Sequence, residues 1–248
     1  MNWSFQLYSA RNFQPWSDVL QRLAALGYVE VEGFPDLYAD APGFRALLDA
    51  AGLSMPTGHF PLDMLERDFS RARDVAETLG ISTLVCPWLD EADRPRDAGG
   101  WRSFAGRLEA IGATAREAGF SFAWHNHDFE FAALTDGSMP MAIILDGAPE
   151  IGWEIDVAWV IRAGEDPRDW IERHGRRIVA AHVKDIAPAG EATDEDGWAD
   201  VGHGTVDWAA LVPLLTARTG AQHFIVEHDN PSDLSRFARR SIETVKAF

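Results

Sequence analysis

The sequence predicts a (β/α)8 TIM barrel forming one domain over residues 1–248. Three observations carry that expectation. The length matches a single α/β barrel, eight short β-rich runs alternate with amphipathic segments, and several runs end in residues able to bind a metal or move a proton. An open doubly wound sheet is the alternative, but no glycine-rich phosphate loop of the kind it brings is found.

The first run, 3–9 (WSFQLYS), leads to the helical stretch PWSDVLQRLAALG, whose final Gly suits a helix stop. Run two, 28–34 (YVEVEGF), precedes GFRALLDAAG. Run three, 54–60 (SMPTGHF), precedes the single helical candidate LDMLERDFSRARDVAETLG, and run four, 81–88 (ISTLVCPW), precedes WRSFAGRLEAIGATAREAG. Run five is 120–127 (FSFAWHNH); the weaker segment 135–150 behind it predicts a short helix. Runs six, 151–157 (IGWEIDV), and seven, 177–185 (RIVAAHVKD), follow, then DWAALVPLLTARTG and run eight, 223–229 (HFIVEHD). DLSRFARRSIETVKAF closes the ring as the eighth helix.

A hydrophobic content of 46% is enough to bury a full core. The formal net charge of −17 disfavours nucleic acid and anionic lipid, which are met by clustered Lys and Arg. Cys86 is the only cysteine, so neither an intramolecular disulfide nor a thiolate metal cluster is expected, and its apolar surroundings predict burial. No run of about 18 apolar residues and no secretory amino terminus is present, which predicts a cytoplasmic protein. A homo-oligomer is compatible with such a fold.

The strand ends carry the chemistry. Run six supplies Glu154 and Asp156, run seven His182, Lys184 and Asp185, run eight Glu227, His228 and Asp229, run five His125, Asn126 and His127 with Asp128 and Glu130 behind it, and run three His59. In a closed parallel barrel these ends converge on one mouth. Glu154 and Asp156 share parity, so both can face inward, with Glu154 deeper as a carboxylate of the interior network and Asp156 within reach of a ligand. Asp185 and Asp229 are expected to cap or fix loops, and His174 and His223 to lie exposed. Carboxylates with one or two imidazoles suit Mn²⁺, Mg²⁺, Co²⁺ or Zn²⁺ at an open catalytic site rather than a structural zinc. Such an ion grips a carbonyl and an adjacent hydroxyl while a base removes the neighbouring proton.

The strings HNHDFEF, WEIDVAWV, AHVKD, VGHGTVDW and IVEHD, in this order and spacing, resemble the sugar phosphate isomerase/epimerase proteins of the xylose-isomerase-like superfamily over nearly the whole chain. The resemblance implies a divalent metal ion held by Asp156, His182, Glu227 and a group after run five. There the chain departs from many relatives: His125 stands where they carry Glu. Either His125 replaces that carboxylate, or Glu130 reaches back to the ion; Glu130 is preferred, since a third carboxylate better neutralises a dication.

The resemblance also implies catalytic roles for Glu227, with Lys184 and Glu130 beside it. Burial near a cation is expected to lower the Lys184 pKa towards a base role, and a salt bridge to a carboxylate is its alternative. His59, His125, His127, Trp159 and His203 are candidate substrate contacts, and Trp88 is a candidate apolar wall. The expected reaction is isomerisation or epimerisation of a keto sugar or related polyol through an enediolate. A lyase or dehydratase using the same intermediate is the alternative, and a sugar-binding barrel without catalysis the third reading. An endonuclease of the same superfamily is disfavoured by the acidity.

Overall fold

The computed structural model describes residues 2–248. Strands β1 (Asn2–Gln6), β2 (Glu30–Gly33), β3 (Ser54–His59), β4 (Thr83–Cys86), β5 (Ser121–His125), β6 (Gly152–Asp156), β7 (Ile178–Val183) and β10 (His223–Val226) are parallel, and β10 pairs back onto β1 to close the barrel. A two-stranded antiparallel excursion, β8 (Asp185–Ile186) with β9 (Trp198–Ala199), is inserted between β7 and β10.

Around the strands run α1 (Trp16–Leu26), α2 (Ala41–Ala51), α3 (Leu62–Arg67), α4 (Phe69–Leu79), α5 (Ala98–Glu117), α6 (Pro140–Gly147), α7 (Val157–Arg162), α8 (Pro167–His174), α9 (Trp208–Arg218) and α10 (Leu234–Val245). Helix α1 stops because Gly27 takes φ 95°, a left-handed backbone that a side chain would oppose. The helix anticipated after run three is in fact two. Asp68 leaves the helical region (φ −142°) and its side chain accepts the Arg71 N–H, which ends α3 and caps α4. The segment 135–150 does form a short helix, α6.

Strands are shorter than the apolar runs that mark them. Run eight covers 223–229, yet β10 ends at Val226, because pairing with β1 and β7 stops there while the chain stays buried. The residues beyond the last rung become the mouth of the barrel. The outward faces of the strands and the inward faces of the helices form one apolar layer that includes Phe5, Leu84, Trp124, Trp153, Ile155, Phe224 and Phe237. Cys86 lies in it, buried as expected.

Asp185 fixes the excursion after β7: its carboxylate accepts the N–H groups of Ile186 (2.9 Å), Gly202 (2.8 Å) and Val206 (3.0 Å). That matches the loop-fixing role anticipated for it. Among the described residues no helix is long and apolar enough to cross a membrane.

Candidate metal centre

Register places the inward side chains side by side. His125 is level with Glu154, Asp156 with His182, and His182 with Ile225, one step before the residues that lead to Glu227. On the opposite wall Gln6 pairs with Glu32. The interior at the carboxyl ends is therefore lined by ionisable groups where barrels ordinarily carry branched apolar side chains.

Asp156 has two tasks. Its Oδ1 accepts the Trp159 N–H (2.9 Å) and so caps α7, while Oδ2 is buried without a hydrogen-bond partner. Asn126 holds the strand end that presents it: its Oδ1 accepts the Asp156 N–H (2.9 Å) and the Trp153 Nε1–H (2.9 Å), and its Nδ2 donates to the Asp156 carbonyl (3.1 Å). Sequence reasoning assigned Asn126 no such part. The His182 Nδ1 lies 2.8 Å from Glu227 Oε2 and 4.0 Å from Asp156 Oδ2. One ligand atom from each of Asp156, His182 and Glu227 falls within 4.8 Å of the others.

The other ring nitrogen of His182 faces down the barrel, 2.7 Å from Glu32 Oε1 and 3.1 Å from Glu154 Oε1. His59 Nε2 joins the same pair of carboxylates at 3.1 and 2.9 Å, and His125 Nδ1 is 3.1 Å from Glu154 Oε1. Glu154 is thus the deep carboxylate that its parity predicts. Glu32 was not anticipated, although the alternation VEVEG, with acids at every second position of a buried strand, carried the signal.

Lys184 is buried, with Nζ 2.7 Å from Asp229 Oδ1, 3.2 Å from Glu227 Oε2 and 3.4 Å from Asp156 Oδ2. Burial opposes its charge, but Asp229, Glu227 and Asp156 outweigh it and raise the pKa. The lowered pKa anticipated for Lys184 is therefore corrected; the group is a fixed cation and donor rather than a base. Asp229, expected to fix a loop, instead faces the mouth and pairs with that ammonium.

Glu130 is not brought to this cluster. Its Oε1 accepts Trp124 Nε1–H (3.0 Å) and its Oε2 the His127 N–H (2.9 Å), which turns the carboxyl away from the interior, and burial pushes its pKa up to about 8. His125 is the residue of β5 that reaches the other donors. His203 is exposed and bonded to Arg240 of α10 at 2.8 Å, away from the mouth, so the structure does not place it among the substrate contacts. His174 and His223, expected to be exposed, are partly covered: His174 stacks on Trp170, and His223 Nδ1 lies 2.7 Å from Glu30 Oε2.

Electrostatics sort the remaining groups. Burial pushes Asp156 up to about 6 against the pull of Lys184 and His182. Burial also resists ionisation of Glu227, yet Lys184 and His182 hold it well below the usual carboxylate range. His182 is raised: burial lowers it, but Glu154, Glu227 and Glu32 win. His127 is lowered by burial and by the charge of Lys184, and its Nδ1 has no partner.

Above these groups opens a cavity of about 600 Å³ whose walls include Tyr8, Phe34, Trp88, His127 and Trp159, with His59 and His125 on its floor. Trp88 is 43% exposed there. Arg11 is the one arginine of the lining, and it is committed to the carbonyls of Tyr8 (2.9 Å) and Asp229 (2.6 Å), beside the acids Asp36, Asp128 and Asp196.

The donor set fits a divalent cation. It combines carboxylate and imidazole; the Glu154 Oε2 and Glu32 Oε2 atoms are buried without a hydrogen-bond partner, and Asp156 Oδ2 has none either, with only the Lys184 ammonium 3.4 Å away.

The chain is similar to inosose dehydratase from Lacticaseibacillus casei, 22% identical over 190 residues that make up 69% of this chain and 63% of that protein. The matched region thus spans less than two thirds of the curated relative. A solved sugar phosphate isomerase/epimerase from Parabacteroides distasonis ATCC 8503 superposes with a TM-score of 0.84 at 19% identity, covering 99% of this chain and 93% of that one. The IolI protein, solved with a zinc atom bound, superposes with a TM-score of 0.75 at 16% identity, over 100% of this chain and 96% of that one. At such identities the likeness of the solved structures speaks for the fold. The model of the xylose isomerase-like TIM barrel family matches residues 20–248, and to that family the chain belongs.

Proposed function

We propose that the protein is a metal-dependent isomerase or epimerase of a keto sugar or related polyol, working by proton removal next to a carbonyl. One observation carries this reading: Asp156, His182 and Glu227, from three different strand ends, bring ligand atoms within 4.8 Å of one another beneath an open cavity. Those three residues would hold a divalent ion, which would supply Lewis-acid chemistry for a neighbouring carbonyl.

The chain's own groups do the rest. Glu227, kept ionised by Lys184 and His182, shares Oε2 with those cations, which leaves Oε1 to take the proton from the carbon next to the carbonyl. Lys184 stabilises the negative charge that then develops on substrate oxygen. His127, neutral and with a free Nδ1 at the cavity wall, can hydrogen-bond a substrate oxygen or a water from another direction, and an epimerisation would take its returning proton from such a water. Trp88 and Trp159 give the sugar ring apolar walls. The acidic lining and the committed Arg11 favour a substrate without phosphate.

The similarity to inosose dehydratase favours a second reading, in which the same proton removal is followed by expulsion of a β-hydroxyl to give an unsaturated product. Metal-loaded protein incubated with a panel of keto sugars in D2O separates the readings. Deuterium at the carbon next to the carbonyl with interconverted epimers supports the first, and an unsaturated product supports the second. Bound metal with neither exchange nor product on any member of the panel refutes both and leaves a binding barrel.

A further inference from the structure

The hydrogen-bonding pattern under His182 is over-subscribed. Five ring-nitrogen to carboxylate-oxygen approaches of 2.7 to 3.1 Å join His59, His125 and His182 to Glu32 and Glu154. Each of the three nitrogens carries at most one hydrogen, so at least two of these approaches have no proton of their own. Every contact also falls on Oε1 of its carboxylate, while Oε2 of Glu32 and of Glu154 is buried and unpartnered. A network built for hydrogen bonds spreads its donors over both oxygens. Donor atoms drawn to a common point are what surround an ion.

We infer that His59, His125, Glu154 and His182 form a second, deeper cation site, distinct from the one between Asp156 and Glu227 and suited to Zn²⁺. Their four ligand atoms lie within 4.8 Å of one another, and all four residues are buried. At metal bonds of about 2.1 Å, neighbouring ligand atoms stand about 3.0 to 3.4 Å apart, close to the 2.9 to 3.1 Å from Glu154 Oε1 to the three imidazole nitrogens. Three imidazoles and one carboxylate, without thiolate, match zinc better than Mg²⁺ or Ca²⁺. Glu32, held by the Gln6 amide at 2.8 Å, adds a second negative charge beside the site, so that a dication is neutralised. His182 presents Nδ1 to the upper group and Nε2 to the deeper one, so it belongs to both. His59 and His125 line the cavity floor, which gives an ion its way in.

In the upper group, by contrast, the Lys184 ammonium already stands among Asp156, Glu227 and Asp229. The two groups therefore differ in their surroundings: an ion in the upper one would share its carboxylates with the ammonium, whereas the deeper one has no cationic side chain beyond its own imidazoles.

The test is metal content, not turnover. Protein stripped with a chelator is reloaded with zinc alone and its bound metal counted, for the wild type and for Glu154→Gln, His59→Gln, Asp156→Asn and Glu227→Gln, with circular dichroism to confirm folding. The expected result is that Glu154→Gln and His59→Gln lose about one equivalent per chain relative to the wild type, while Asp156→Asn and Glu227→Gln, which lose only what the upper group holds, retain about one. Should the deep variants hold as much zinc as the wild type, or should Asp156→Asn and Glu227→Gln alone empty the chain, the deep site is refuted. If the deep variants do not fold, anomalous scattering from a zinc-soaked wild-type crystal decides. A peak between His59 and His125 supports the site, and a peak only between Asp156 and Glu227 overturns it. Absence of isomerisation would sink the functional proposal while leaving this count standing.

Discussion

Replacing Lys184 by Met removes a charge and keeps the length of the side chain. The ammonium is 1% exposed and lies 2.7, 3.2 and 3.4 Å from Asp229, Glu227 and Asp156, with Trp198 4.4 Å beneath it. Its loss leaves three carboxylates facing one another, Asp156 and Glu227 nearly fully buried and Asp229 a quarter exposed at the mouth. Breaking a buried pair in this way costs about 3–5 kcal/mol. For a chain of this size each kcal/mol lowers Tm by roughly 2–4 °C, so a fall of roughly 6–20 °C is expected in metal-free protein at neutral pH.

The sign of the pH dependence follows. Without the ammonium, Asp156 and Asp229 bind protons more tightly folded than unfolded, so the deficit is small in acid and grows as pH rises past the unfolded carboxylate value of about 3.9. A bound dication replaces part of the missing charge and narrows the gap. Arg107→Ala, which breaks the exposed pair with Glu66, is the control and is expected to cost about 0–1 kcal/mol. Urea unfolding in the presence of chelator reads all of this. A Lys184→Met variant within about 1 kcal/mol of the wild type would show that the carboxylates are neutralised some other way.

Three further outcomes are expected. Glu130→Gln is predicted to keep turnover at neutral pH, since the carboxyl bonds Trp124 and the His127 amide rather than the cluster. Its folded pKa, pushed up to about 8 from an ordinary value of 4.5, means that wild-type stability falls as pH rises between those values, so the variant should gain on the wild type across that window; parallel pH profiles of unfolding would contradict this. Glu195 is opposed by burial but held down to about 2 by hydrogen bonds from Ser232 and Arg236, so its contribution is full above the unfolded value and lost as pH falls towards 2. In acid titrations Glu195→Gln should flatten that part of the curve. Trp88→Ala, at a site 43% exposed, should leave stability within about 0.5 kcal/mol while raising KM about fivefold; an unchanged KM would remove Trp88 from the sugar-binding wall.

Much of the architecture was legible because period and punctuation agreed. Apolar runs of strand length, amphipathic helices and helix-stopping glycines such as Gly27 all pointed to one topology. Strand ends were overestimated, since a buried chain remains apolar after its last ladder bond: His127, Glu227 and Asp229 belong to the mouth, not to strands. The Asp68 break went unseen because the apolar spacing continues through it. At the site, parity found Glu154, Asp156 and His182, where the backbone alternates regularly. It could not place Glu130, whose direction depends on a 3-10 turn (Phe129–Phe131) folding its carboxyl back to Trp124. Asp229 was misjudged for the same reason: beyond β10 no periodicity constrains it.

The interior also explains why single substitutions should differ so much in effect. Glu32, His59, His125, Glu154, His182, Lys184 and Glu227 occupy positions that a barrel built for stability alone fills with Val, Ile and Leu. Each buried charge or imidazole is tolerable only because an opposite partner stands 2.7 to 3.4 Å away. The set therefore stabilises itself as a unit, and removing one member exposes another to the full cost of burial without a partner. Trp88 touches only the rim of this arrangement, so its loss is felt by a ligand and hardly by the fold. Lys184 stands inside it, so its loss is felt first by the fold. A residue's distance from the charged interior, more than its distance from the substrate, should decide whether its substitution appears as lost stability or lost binding.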